Sequence, residues 1–211
     1  MRPLRPSRAA TERSRCDGMR YEPVRPGPGV AQRIPVIERG GRMSGSPSPD
    51  SDPAQRLTVL ETIEAIKALK HRYFRACDAK DPGRFRECFR AEGAVLDYGE
   101  LGVSDADGMA AVFESIALRR VDGKHVVLDM HHGMHPDITV HADGTASGQW
   151  TLQFRQVNLL DHTDTLSTGE YEDSYIFEDG RWKIAVSRFR RIWSITRPVE
   201  DTCRIGQYET S

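Results

Sequence analysis

The stretches TVHADGTASGQW (residues 139–150) and YIFEDGRWKIAV (residues 175–186) decide the fold, because each places an Asp-Gly pair between two strand-like runs. Asp-Gly is a strong signal for a two-residue hairpin turn, since both central positions of that turn need positive φ. Outward from the two pairs, an alternation of period two predicts four strands. They cover about residues 125–141, 145–158, 165–177 and 181–195. The second half of the chain is therefore expected to form an antiparallel meander.

The chain before this sheet has the pattern of helices. From residue 57 to about residue 79, apolar side chains recur at three- and four-residue steps, which predicts one long helix. Asp81-Pro82 is typical of an N-cap followed by proline at the first helical position. Ser104 or Asp105 can cap a third helix. Helices followed by an antiparallel meander indicate an α+β fold, with the helices packed on one face of a curved sheet.

Residues 1–50 differ from the rest of the chain in composition. They hold ten Arg, eight Pro and five acidic residues, without a helical or strand period, so they are predicted to be disordered. The run from residue 38 to Met43 has the sequence that a translated purine-rich ribosome-binding site would give, which favours Met43 as the true start. Residues 51–200 are predicted to form the folded domain, and residues 201–211 a C-terminal tail.

Charge and hydropathy narrow the classes of function. Residues 1–50 carry +5, whereas 20 basic and 26 acidic residues give the rest of the chain −6, which argues against a nucleic-acid partner. No apolar run reaches the ~18–20 residues of a membrane span, and no secretory signal core is present, so we expect a soluble cytoplasmic protein without a membrane partner. Cys16, Cys77, Cys88 and Cys203 are far apart, so we expect free thiols.

Histidine is the most informative residue type in the predicted sheet. His131, His132 and His135 lie together, and strand alternation puts His131 and His135 on one face and His132 on the other. Residues i and i+4 on a strand are ~13 Å apart, too far for two imidazoles to bind one ion, so we predict no metal site. Proton transfer suits imidazole better, because its unperturbed pKa is ~6.5.

Three further residues are candidates for a site. Tyr73 lies on the apolar stripe of the first helix, where a phenol is more often part of the core. Asp78 ends that helix, where a negative charge is unfavourable near the dipole, although simple solvent exposure also accounts for it. Arg188 shares a predicted face with Ile184 and Val186, so it must be paired or line a wet cavity.

Four segments carry a resemblance to a known family. They are Tyr73–Asp78, the Asp81-x-x-x-Phe85 turn with Cys88-Phe89, the His131 strand with Ala146-x-Gly148-x-Trp150, and Gly180–Ile184. Together they resemble the SnoaL-like branch of the nuclear transport factor 2-like superfamily over about residues 55–197, most of all the bile-acid 7α-dehydratase and scytalone dehydratase group. The resemblance implies a cone, in which a strongly curved, mostly antiparallel sheet wraps around the long N-terminal helix and encloses a pocket.

The resemblance also implies roles for individual residues. Tyr73 resembles the helix tyrosine that polarises a substrate carbonyl, Asp78 the carboxylate near the catalytic histidine, and His131 that histidine. Tyr98 resembles a second pocket tyrosine. The dehydratases carry a second polar catalytic residue, His or Asp, near the position of Trp150. An indole there would shrink the pocket or remove one acid/base group.

The function implied is that of a cofactor-independent lyase (dehydratase) or isomerase. Its substrate would be small, hydrophobic and carbonyl-bearing, of steroid, polyketide or terpenoid type, and His131 would abstract a proton. Substrate contacts are expected from Tyr98, His135, Trp150, Tyr171 and Arg188. A homodimer or homotrimer formed through the sheet is also implied. The alternative is a non-catalytic small-ligand-binding or assembly subunit with the same cone.

Overall fold

A computed structural model describes residues 52–208. The predictions of a disordered segment over residues 1–50 and of a start at Met43 lie outside the described residues. The described part contains helices α1–α3, strands β1–β8 and a short 3₁₀ turn. In chain order these are α1 Pro53–Asp78, α2 Pro82–Glu87, β1 Val95–Asp97, the turn Gly99–Leu101, β2 Val103–Ser104, α3 Ala106–Ala117, β3 Arg120–Val121, β4 Lys124–His125, β5 Val127–Val140, β6 Ala146–Asn158, β7 Thr163–Glu178 and β8 Arg181–Pro198.

Helix α1 is the long helix that the apolar period predicts, and it begins four residues earlier than predicted. Asp52 caps its start, because the side chain accepts a hydrogen bond from the Ala54 N–H, and Pro53 occupies the first turn. At the start of α3 the structure selects Asp105 as the cap, with its carboxylate accepting from the Gly108 N–H at 2.7 Å.

Six strands form one curved sheet in the order β2-β1-β8-β7-β6-β5. All neighbouring pairs are antiparallel except β1 and β8, which are parallel. The four long strands β5–β8 form the predicted meander, and α1 packs across β5. The α+β fold with a cone-shaped, mostly antiparallel sheet around a long helix is therefore confirmed.

The two Asp-Gly pairs form different turns. Asp179 and Gly180 both have positive φ, 50° and 75°, as a two-residue hairpin of the predicted kind requires. At the other pair only Gly144 has positive φ, and the strands end at Val140 and resume at Ala146, so the two-residue prediction is wrong there. The longer loop follows from the Asp143 side chain, which accepts hydrogen bonds from the Thr145 N–H and hydroxyl.

Three β-bulges interrupt the alternation of the long strands. In β5 the register shifts between Met134 and Asp137, so two residues stand opposite one on β6. In β8 the register shifts place Ala185 and Ile192 as the extra residues against β7. Each extra residue reverses which side chains face the core beyond it. The bulges therefore decide which predicted site residues face inward.

Two smaller expectations concern membranes and thiols. None of the described helices is long and apolar enough to cross a membrane. Cys77, Cys88 and Cys203 are free cysteines, as predicted, whereas Cys16 lies outside the described residues. Cys77 and Cys88 are buried, and burial raises the pKa of the Cys88 thiol to about 11.

Candidate active site

A cavity of about 540 Å³ lies between the helices and the inner face of the sheet. Apolar side chains form most of its wall, and they come from α2, α3 and strands β6 and β8. They include Phe85, Met109, Val112, Phe113, Leu152, Phe154 and Phe189. Four of the residues predicted from the sequence line the same cavity: Tyr73, Tyr98, His131 and Tyr171.

His131 and Asp78 are in direct contact at one wall of the cavity. The His131 Nδ1 and the Asp78 Oδ1 are 2.7 Å apart, and the His131 backbone N–H donates to the same oxygen at 2.9 Å. An ionised carboxylate can only accept, so Nδ1 carries the proton and Nε2 is left as the basic nitrogen. The side chain of His131 is 15% exposed, whereas the neighbouring His132 is exposed on the other face of β5.

The position of the His131 ring depends on Phe74 and Gly133. The rings of His131 and Phe74 stack with their centroids 6.2 Å apart. A Cβ atom at Gly133 would lie only 2.1 Å from the Phe74 ring, so the glycine lets Phe74 approach the strand. On the other side, Phe154 pairs with His131 across β5 and β6, with ring centroids 4.7 Å apart.

Three phenols meet at another part of the cavity wall. The Tyr73 hydroxyl lies 3.0 Å from the Tyr98 hydroxyl and 3.5 Å from the Tyr171 hydroxyl. Burial raises the pKa of all three phenols well above the usual value, so they stay protonated near neutral pH. A protonated phenol whose proton is not already donated can donate a hydrogen bond to an oxygen atom that carries developing negative charge.

A buried ion pair lies beneath the phenols. The Lys70 ammonium donates to Asp173 Oδ2 at 2.7 Å, and both side chains are fully buried. Tyr175 donates to the same oxygen at 2.9 Å, and Ser187 donates to the other oxygen at 2.7 Å. Burial lowers the pKa of Lys70, and the charge of Asp173 opposes that shift. The ammonium also lies 3.7 Å from the centroid of the Tyr171 ring.

The carboxylate of Asp173 sets the direction of the hydrogen bonds that lead to the cavity. Because Asp173 only accepts, the Ser187 proton points to it, and Tyr98 donates to the Ser187 oxygen at 3.4 Å. Tyr98 has one proton, so Tyr73 is the donor in the 3.0 Å contact between the two phenols. The proton of Tyr171, 3.5 Å from Tyr73, is the least committed of the three.

Comparison with known families identifies the family to which the chain belongs. Residues 58–188 match the model of the SnoaL-like domain. The chain belongs to the SnoaL-like family. Its solved relatives carry the nuclear transport factor 2-like cone, in agreement with the curved sheet and long helix of this SnoaL-like protein.

Solved structures similar to this SnoaL-like protein include enzymes. A candidate scytalone dehydratase from Novosphingobium aromaticivorans has a TM-score of 0.58 and 21% identity over 72% of this chain and 98% of its own. The hexachlorocyclohexane dehydrochlorinase LinA-type3 from Novosphingobium barchaimii has a TM-score of 0.59 and 16% identity over 72% and 99%. A protein of unknown function from Mycobacterium tuberculosis has a TM-score of 0.53 and 21% identity over 66% and 76%. At these identities the likeness shows the fold alone.

Arg188 does not reach the cavity of the SnoaL-like domain. The prediction that it shares an inward face with Ile184 and Val186 is wrong, because the bulge at Ala185 reverses the alternation. Ser187 is buried in its place, and Arg188 is half-buried outside the cavity wall. The bulge could not be inferred from the alternation of a single strand.

His135 and Trp150 also lie outside the cavity wall. His135 is exposed in the β5 bulge with φ 51°, so the prediction that it shares the face of His131 is wrong. Trp150 is nearly fully buried and donates from Nε1 to the Tyr175 hydroxyl at 2.9 Å. The side chain directly across from His131 is Phe154, which has no acid/base group.

The sequence contains a signal for the buried pair that pattern analysis missed. Lys70 lies four residues after Ile66 and three before Tyr73, so it is a charged residue on the apolar stripe of α1. Asp173 has the same strand phase as Tyr171 and Tyr175. Each of these charged residues is at an inward-facing position of its element, which indicates that each has a buried partner of opposite charge. Within residues 52–208, no three His, Cys, Asp or Glu side chains are grouped as metal ligands would be.

Proposed function

We propose that this SnoaL-like protein is a cofactor-independent lyase or isomerase that acts on a small hydrophobic substrate bearing a carbonyl group. Steroid, polyketide and terpenoid skeletons have the matching character, because most of the area of the cavity wall is apolar and polar groups interrupt it at separate places. One observation carries the proposal: His131, held by Asp78, lines the same cavity as three buried phenols.

In the proposed reaction His131 is the general base. Its Nε2 removes a proton from the carbon next to the substrate carbonyl, and the electron pair of that C–H bond forms an enolate. Asp78 stabilises the imidazolium that results, through the hydrogen bond to Nδ1. An isomerase would return the proton to another carbon. A dehydratase would give it to a departing β-hydroxyl, which leaves as water while the C=C bond forms.

The phenols are the proposed binding site for the enolate oxygen. Donors aimed at developing charge in a water-poor site are worth about 3–4 kcal/mol each in catalysis. Tyr171 has the least committed proton of the three, and the Lys70 ammonium lies 3.7 Å from the centroid of its ring. Tyr73 and Tyr98 hold Tyr171 in a chain of hydrogen bonds that starts at Asp173.

Proton exchange tests the proposal without knowledge of the product. Hydrophobic ketones are first screened for a thermal shift, and each one that binds is then incubated with the protein in D2O. We expect deuterium to enter at the carbon next to the carbonyl, which NMR or mass spectrometry detects. The rate of this exchange should fall by about 10²-fold or more in His131→Gln.

His132→Gln is the matched control, because its side chain is exposed on the opposite face of the same strand. It should exchange at the rate of the parent protein. If ketones bind but no exchange occurs, the chain is a small-ligand-binding or assembly module instead.

The homodimer or homotrimer that the family resemblance implies remains a prediction, and sedimentation velocity measures it.

A further inference from the structure

Three polar side chains form a row across the cavity wall, one step along the strands from His131. Asp129 on β5 pairs with Gln156 on β6, and Gln156 pairs with Thr165 on β7. All three line the cavity. Directly paired residues have Cβ atoms about 4.5–5.5 Å apart, so the three side chains form one continuous surface, which we call the polar row.

A nearly buried ion pair holds one end of the polar row. The Lys80 ammonium donates to Asp129 Oδ1 at 2.8 Å, and the two side chains are only 8% and 9% exposed. Lys80 follows α1 with φ 56°, the conformation in which the chain leaves that helix. The pair has no net charge, and the second carboxylate oxygen retains the capacity to accept a hydrogen bond.

The remainder of the polar row can both donate and accept. Within residues 52–208 the Gln156 amide has no hydrogen-bond partner, although the side chain is only half exposed. The Thr165 hydroxyl is 2.9 Å from that of Thr196. The Gln156 amide can therefore both donate to and accept from a ligand or water.

The polar row and the phenols lie at different ends of the cavity floor. On β7, Thr165 and Tyr171 are six residues apart and share the inward face, so their Cα atoms are separated by at most ~20 Å. The next row along the strands, between the polar row and the phenols, holds His131, Phe154 and Ser167. The polar row is therefore separated from the phenols along the floor of the cavity.

We infer that the polar row is a second subsite, which binds a neutral hydroxyl group at the end of the substrate remote from its carbonyl. A hydroxyl donates to Asp129 and accepts from Gln156, as the row requires. A carboxylate would lose its hydration at the row without gaining a free cation, and an ammonium would lose its hydration without gaining a free anion, because Lys80 and Asp129 already neutralise each other. The inference rests on the proposed function for the placement of the carbonyl at the phenols.

A matched pair of ligands tests the subsite by affinity alone. The pair consists of a rigid fused-ring enone without other oxygen atoms and the same enone with one hydroxyl on the ring farthest from the carbonyl. Calorimetry should show about fivefold tighter binding of the hydroxylated compound to the parent protein, as one net hydrogen bond gives. An analogue with a carboxylate in place of the hydroxyl should bind more weakly than the unsubstituted enone.

Gln156→Leu and Thr165→Val each remove one polar group of the row with little change in volume. Each should reduce the preference for the hydroxylated ligand to about twofold or less and leave the affinity for the unsubstituted enone unchanged. Gln153→Leu is the control, because Gln153 is exposed on the other face of β6. Urea unfolding of each variant verifies that it is folded, and two independent variants keep the test valid if one is not.

The outcomes separate the two proposals. Equal affinity of the parent protein for both enones overturns the subsite and leaves the proposed function intact. Failure of both enones to bind overturns the proposed function, and the subsite with it. A preference that persists in both Gln156→Leu and Thr165→Val assigns the hydroxyl to another part of the wall and overturns the inference.

Discussion

Helix α1 makes two contacts with the sheet in which a carboxylate meets a basic side chain. The two contacts have the same length. Lys70 and Asp173 are 2.7 Å apart, as are His131 and Asp78. The first pair is fully buried, whereas the second is 15% and 31% exposed and its histidine lines the cavity. Distance alone therefore does not distinguish them. Burial does, because only the second pair can exchange protons with a ligand or water.

The difference shows how one helix supports both structure and chemistry. Lys70 lies about two turns before the end of α1, where the apolar stripe faces the sheet and removes water. Asp78 is the last residue of α1, where the helix stops covering the strand that carries His131. Position along the helix thus sets the water access of each carboxylate, and hence the role available to it.

The largest effect is expected from breaking the buried pair. Lys70→Met leaves the Asp173 charge buried without its cation, which should lower the free energy of unfolding by about 3–5 kcal/mol. Urea unfolding at neutral pH measures the loss. The double variant Lys70→Met/Asp173→Asn should recover more than half of it, because no uncompensated charge remains. A single variant within about 1 kcal/mol of the parent would contradict the assignment.

Asp78→Asn should act on chemistry and leave stability nearly unchanged. We expect proton exchange on a bound ketone to slow by about 10²-fold or more, since the imidazolium loses its partner. The free energy of unfolding should change by less than about 1 kcal/mol, because a negative charge at a helix C-terminus is unfavourable. Asp137→Asn is the control, because Asp137 is exposed on β5, the strand that carries His131. Unchanged exchange would remove Asp78 from the mechanism.

Gly133→Ala tests the packing that places the His131 ring. The added Cβ would lie 2.1 Å from Phe74, so the ring must move, at a cost of about 1–3 kcal/mol in unfolding free energy. Proton exchange should slow as well, because Phe74 stacks on His131. Adding Phe74→Leu should restore part of the stability. If Gly133→Ala is as stable as the parent, the close approach is not a constraint.

The smallest effect per residue is expected from the buried phenols at high pH. Burial raises the pKa of Tyr73, Tyr98, Tyr171 and Tyr175 above the value of ~10 that applies when unfolded. The unfolded chain then binds fewer protons above pH ~10, so the free energy of unfolding falls as pH rises, by ~1.4 kcal/mol for each tyrosine per pH unit. Below pH ~10 their contribution is constant.

Absorbance at the phenolate band measures this titration. The four buried tyrosines should ionise only when the protein unfolds, so their part of the absorbance change should coincide with the loss of the circular dichroism signal. Ionisation of all four in the folded protein, before that loss, would show that water reaches the phenols and would weaken the distinction between the two regions.

Much of the fold could be predicted because helix and strand periods are local. The three- and four-residue spacing of apolar side chains is sufficient for α1, and the period of two for β5–β8. Candidate catalytic residues could also be predicted from the sequence, since Tyr73, Asp78 and His131 are of suitable type and their positions resemble those of a known family. Tyr73 and His131 line the same cavity, and Asp78 contacts the histidine.

What only the tertiary structure decided concerns pairing between distant segments. Whether Arg188 or Ser187 faces inward depends on a bulge at Ala185, and a bulge exists only as two residues opposite one on a neighbouring strand. The partnership of Lys70 with Asp173 spans 103 residues and needs the helix and sheet to be packed. Local periodicity in a sequence determines which elements form, whereas register and burial are set by contacts that the sequence pattern of one element does not contain.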